Sequence, residues 1–130
     1  MSDAALLDAL LAAVLCAVVL LLASLATGLL RRRRAHLVSV ALFIPGLFTA
    51  VFLAERYGRR FTFDPVWLEI HLSLAWSAVI SLAGPVVSGL LSLKRVRPHP
   101  AHRILALLFT ALAVAAVVTG TIMIAGGRRI

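Results

Sequence analysis

Three histidines carry the clearest chemical signal in this 130-residue sequence: His36, His71 and His102 each fall near the start of a long apolar segment. A neutral imidazole is a metal ligand as well as a hydrogen-bonding group. Two imidazoles from facing helices, with a shallow cavity between them, can hold a haem b iron by axial ligation. If the segments alternate in direction across a membrane, the starts of the second and fourth share one side. His36 and His102 then form the natural pair, and His71 starts its helix on the opposite side. Arg103, beside His102, is placed to pair with a haem propionate, with lipid phosphate as the competing partner. An imidazole in the first turn of a membrane helix also has a simpler use at headgroup level, bonded to water or lipid. His99, between Pro98 and Pro100, fits that simpler use.

The elements that must position these residues are four apolar segments, residues 6–30, 37–54, 70–93 and 104–126. About 20 apolar residues span a hydrocarbon core of ~30 Å, so the second segment sits at the short end of the range. The longest break, residues 55–69, is too short for a separate soluble domain. The expected fold is all-α, a polytopic membrane four-helix bundle occupying 1–130 as a single domain, with helices near 5–30, 35–55, 65–93 and 101–126.

Charge orients the bundle. Arg31, Arg32, Arg33, Arg34, Lys94, Arg95, Arg97 and Arg103 cluster at one set of ends without an acidic residue. Asp3, Asp8, Glu55, Asp64 and Glu69 all fall at the other, with Arg56, Arg59, Arg60, Arg128 and Arg129. The bias of basic residues in short loops puts the arginine-rich connections in the cytoplasm, so both termini and loop 55–69 face out. The expected location is the inner (cytoplasmic) membrane. The net charge of +8 thus reads as a topology signal and not as a nucleic-acid footprint, because the cations are split over short loops at the lipid surface.

Other features narrow the chemistry. The lone Cys16 permits no internal disulfide and no thiolate cluster, and reads as a small packing residue. No Cys-x-x-Cys-His, phosphate-loop, serine-elbow or His-Glu-x-x-His motif occurs. The first segment lacks a basic leader and is too long for a signal-peptide core, so it is expected as a mature helix. Ser24 and Gly28 offer a flat patch for close helix approach. Pro45-Gly46 is expected to kink the second helix or free a carbonyl. Residues 55–60 have the composition of an interfacial turn, in which Tyr57, Arg59 and Arg60 could meet an acidic donor or quinone headgroup. Asp64-Pro65 marks a helix start, and Trp67 fits an aromatic belt. Small stripes run below His102 (Ala106, Thr110, Ala113, Ala116, Gly120) and below His71 (Ala75, Ala78, Leu82, Pro85, Gly89); they suit a porphyrin face or ordinary tight packing.

Ile70-His71-Leu72, Leu82-Ala83-Gly84-Pro85, His102-Arg103 and Thr119-Gly120 resemble the last two core helices of the transmembrane cytochrome b-561 and ferric-reductase-like group. Arg34-Ala35-His36-Leu37 is similar to its second core helix. The resemblance implies a four-helix core clamping haem b, with His36 and His102 as ligands of the cytoplasmic-side haem. The first helix has no histidine, so His71 lacks the partner that a second, outer haem would need from another subunit or a non-histidine ligand. The expected function is a one-haem b-type cytochrome subunit, at most the electron-transfer part of an oxidoreductase, exchanging electrons with quinone or a partner redox protein. The alternative is a cofactor-free small subunit of a larger respiratory or photosynthetic membrane complex. A transporter fits less well, because no charged residue lies mid-span. Beyond the lipid bilayer, the expected partners are other membrane subunits or a second copy of the chain.

Overall fold

The computed structural model describes residues 2–95 and 99–129, which leaves Arg97 of the basic cluster and Pro98 of the proline-flanked loop outside the described residues. The described residues are all-α apart from two dipeptides of extended backbone. Its elements are α1 (Asp3–Leu29), α2 (Arg33–Gly58), β1 (Phe61–Thr62), α3 (Pro65–Ser81), α4 (Ala83–Ser92), α5 (Pro100–Ala125) and β2 (Arg128–Arg129). Helices α3 and α4 read as one 28-residue run, Pro65–Ser92, so four helices are long and apolar enough to cross a membrane. By length and composition this is a multi-pass membrane protein. The helices divide into two compact units, one holding α1 and α2 and the other α3, α4 and α5.

The first unit is an antiparallel hairpin. Ser2 caps α1, its Oγ accepting from the Ala5 N–H at 3.2 Å. The helix ends in a Schellman turn: the Arg32 N–H donates to the Thr27 carbonyl, the Arg31 N–H donates to Gly28, and Arg31 sits at φ 55. Buried positions recur with a coiled-coil-like period, Leu10, Ala17 and Ser24 on α1 and Phe43, Ala50 and Tyr57 on α2. At the far end Arg60 Nη1 bonds Asp3 Oδ1 at 2.8 Å.

Several local expectations change here. Helix α2 runs unbroken through Pro45, although the ring removes one ladder bond, and the Thr49 hydroxyl donates to the Pro45 carbonyl at 2.9 Å. It also extends through Glu55, Arg56, Tyr57 and Gly58, which the sequence suggested as a turn. The Glu55–Arg59 pair at 2.6 Å spans one helical turn and favours that continuation. Tyr57 is buried and stacks on Phe61 with ring centroids 4.3 Å apart, while Arg59 and Arg60 engage carboxylates of the chain itself. The bond to Glu55 holds the Arg59 guanidinium still further above its ordinary pKa. A donor or quinone headgroup would therefore displace existing partners. Cys16 is exposed on the face of α1 that carries Leu15 and Val19, away from the buried stripe, so it does not pack the hairpin.

In the second unit Asp64 caps α3, its Oδ1 accepting from the Val66 and Trp67 N–H groups at 2.9 and 3.2 Å, with Pro65 in the first turn. The α3–α4 interruption falls at Leu82, one residue after the Ser81 carbonyl that Pro85 cannot serve; Leu82 itself stays helical at φ −58, ψ −30. Helix α5 starts at a cap made by His99, whose Nδ1 accepts from the Ala101 N–H and whose own N–H donates to Ser92 Oγ. Its buried residues are Phe109, Ala116 and Gly120. Most large apolar side chains in both units remain exposed, Ile80 at 71% and Ile104 at 70% among them, as a lipid solvent allows.

Candidate functional site

Each of the three histidines is seated in a socket on a neighbouring helix of its own unit, and the sockets share a design. In the first unit His36 Nδ1 lies 2.8 Å from the Ser24 carbonyl oxygen. A Cβ on Gly28 would sit 3.2 Å from His36 Nδ1 and 3.3 Å from Cε1, so the ring edge is laid over that glycine. In the second unit His71 Nδ1 lies 2.9 Å from the Ala116 carbonyl and 3.4 Å from Thr119 Oγ1. There a Cβ on Gly120 would be only 2.8 Å from His71 Cε1, closer than side chains tolerate.

The two sockets are built from the same short pattern, a small residue, two apolar residues, then Thr-Gly: Ser24-Leu25-Ala26-Thr27-Gly28 and Ala116-Val117-Val118-Thr119-Gly120. In both, the threonine hydroxyl folds back onto its own helix, Thr27 to the Ala23 and Ser24 carbonyls and Thr119 to Ala115 and Ala116. The carbonyl that receives the imidazole is thus the same one the threonine touches. The glycine four residues on removes the Cβ that would stand under the ring. A helix carbonyl has a second lone pair, so it accepts the imidazole while remaining in its own ladder.

The third socket is a variant. His102 Nδ1 lies 3.0 Å from Ser88 Oγ, and a Cβ on Gly89 would be 3.3 Å from its Cε1. The Ser88 hydroxyl is also within reach of the Gly84 carbonyl on its own helix, at 2.7 Å. Ser77, Ser81 and Ser92 likewise return their hydroxyls to their own helix.

Two of these partners fix the tautomer of a neutral ring by elimination. A carbonyl oxygen accepts and cannot donate, so Nδ1 carries the proton in His36 and His71 and the ring lone pair lies on Nε2. The partner of His102 is a hydroxyl, which both donates and accepts. An Nδ1–H bond to a carbonyl or hydroxyl is the outer-shell support that orients an imidazole ligand for a metal. The donor chemistry therefore fits axial ligation of haem iron, and it equally fits a histidine that simply ties two helices together.

His36 belongs to the first unit and His71 and His102 to the second. Ala116, under His71, is fourteen residues along α5 from His102, about 20 Å at the helical rise, so those two serve opposite ends of their unit. Arg103 is exposed, as is Glu69. Among the described residues no group of three or more His, Cys, Asp and Glu gathers to hold a metal ion. The small stripe on α5 is used for packing at Ala116 and Gly120. Thr27-Gly28 and Thr119-Gly120 are the two Thr-Gly steps in the chain, each following a small residue by three positions, and that recurrence is the sequence signal of the two sockets.

Comparison of the chain with protein-family models, with curated proteins and with solved structures returns no match.

Proposed function

We propose that this chain is a b-type cytochrome-like integral membrane subunit taking part in transmembrane or quinone-linked electron transfer, with His36 and His102 as haem b ligands. The reading is supported by one observation above others: Nδ1 of each ring is oriented by an oxygen of the neighbouring helix, the Ser24 carbonyl for His36 and the Ser88 hydroxyl for His102, the outer-shell support an imidazole ligand has. When bound, haem would supply the redox chemistry, and the protein would tune it through ligand basicity and propionate charge. Arg103 is the proposed propionate partner. The arginine-rich connections face the cytoplasm in this reading, following their excess of basic residues.

A cofactor-free accessory subunit of a larger membrane complex is the second reading, and the sockets favour it in their own way. All three rings lay an edge against a glycine and bond the neighbouring helix, which is what a packing histidine does. The exposed apolar perimeter suits association with other membrane subunits or a second copy.

A reduced-minus-oxidised visible spectrum of the full chain, isolated gently with its native partners, separates the two. A sharp b-type α band, lost in His36→Ala and in His102→Ala while the protein remains helical, is the result expected of the cytochrome. Absence of haem absorbance in such a preparation would sink that reading and leave the accessory subunit.

A further inference from the structure

Ser73 stands apart from the other hydroxyls of the helices. Each of the others has a carbonyl of its own helix within hydrogen-bond distance, which satisfies a hydroxyl in lipid. The Ser73 hydroxyl has no such partner among the described residues, although its carbonyl accepts from Ser77. Glu69, one turn earlier on α3, has no ion-pair partner among the described residues either. Both are exposed, and with Pro65, Leu68, Leu72 and Trp76 they line an open groove along the helix. A carboxylate and a hydroxyl about 6 Å apart along the axis can both accept from one guanidinium, whose N–H donors form a fork.

The chain holds such a guanidinium within one turn of the matching end of α2. Arg59 and Arg60 engage Glu55 and Asp3, whereas Arg56 meets no carboxylate among the described residues. Arg56 lies over the Phe52 ring, 5.4 Å from its centroid, and so reaches back between the levels of the two residues. Inward from Arg56, the exposed residues Phe52, Thr49 and Pro45 follow on one face of α2. Inward from Glu69, the exposed residues Ser73, Trp76 and Ile80 follow on α3 in the same helical steps. In two copies inserted the same way, α2 of one runs antiparallel to α3 of the other. Arg56 then meets Glu69, the small Ser73 faces Phe52, and the large Trp76 faces the small Thr49. Charge and size are complementary at all three steps. Packing α3 against α3 would instead set Glu69 against Glu69 and Trp76 against Trp76.

We infer that α3 of one copy docks on α2 of a second copy, Arg56 of the second donating to Glu69 and Ser73 of the first. The contact does not depend on haem.

The test is cysteine crosslinking of the full chain in native membranes, between two differently tagged copies in a Cys16→Ala background. Glu69→Cys in one copy and Arg56→Cys in the other are expected to give a disulfide-linked dimer carrying both tags on mild oxidation. Glu69→Cys paired with Ile122→Cys, an exposed position of α5, is expected to give little. Equal yields from the two pairings, or no mixed dimer, would overturn the inference. Dilution of end-labelled copies in lipid vesicles then measures association by energy transfer. Glu69→Arg and Arg56→Glu are each expected to weaken it roughly tenfold, and the two together to restore most of it. Ser73→Ala is expected to weaken it about threefold. Charge variants without effect, or losses that the exchange does not repair in chains of unchanged helicity, would overturn it.

Discussion

The two units solve one packing problem in opposite chain order. In the first, the second helix reaches back: His36 bonds a carbonyl twelve residues earlier, across a tight turn. In the second, the first helix reaches forward: His71 bonds a carbonyl 45 residues later. Both end on a carbonyl with Thr-Gly just beyond it, so the socket belongs to the receiving helix and not to the connectivity. The fit differs in degree. A methyl group on Gly28 would stand 3.2 Å from the His36 ring, which must then give slightly, whereas on Gly120 it would stand 2.8 Å from the His71 ring, which must move. Helix association in lipid draws on packing and on hydrogen bonds, with little hydrophobic drive. The tighter socket should therefore contribute more to holding its helices together.

That difference can be attacked directly. Gly120→Ala is expected to destabilise the protein by about 1–3 kcal/mol through forced displacement of the ring, and Gly28→Ala by clearly less, read as thermal unfolding in detergent. Equal effects would erase the distinction between the sockets. His71→Ala is expected to cost about 1–2 kcal/mol from the lost bond and the space left behind. In that background the penalty of Gly120→Ala should largely vanish, because the methyl group then enters the vacated volume; a double-mutant cycle measures the coupling. Additive losses would show that the ring and the glycine do not meet.

The variant socket should be the softest of the three. Ser88→Ala removes the hydrogen-bond partner of His102 and is expected to cost about 0.5–1.5 kcal/mol, with a change in the His102 ring proton resonances as a second readout. At the turn beneath the first socket, Arg31→Gly removes the strain of a residue with a Cβ held at φ 55. It is expected to stabilise the hairpin by up to about 1 kcal/mol, seen as a small rise in melting temperature. A loss there would mean that the arginine side chain contributes more than its backbone costs.

Much of the fold was legible because its signals are local. Runs of apolar residues mark membrane-length helices, Asp64-Pro65 marks a start, and Ser24 with Gly28 marks a close approach; the structure has all three. The site was legible only in part. The three histidines stand out by type, but the partner of each depends on which helix lies alongside. His71 looks solitary until Ala116 and Gly120 are brought under it from 45 residues away. Residues 55–58 misled for a related reason: polar composition resembles a turn, yet Tyr57 buried against Phe61 and the Glu55–Arg59 pair keep them helical.

The sequence by itself determined the solvent and the elements. Apolar runs long enough to span a bilayer can satisfy their backbone only as helices, whatever surrounds them. The tertiary structure alone decided the chemistry of the rings. A histidine can carry its proton on either nitrogen, and only the oxygen placed beside Nδ1 by a neighbouring helix selects which one keeps the lone pair.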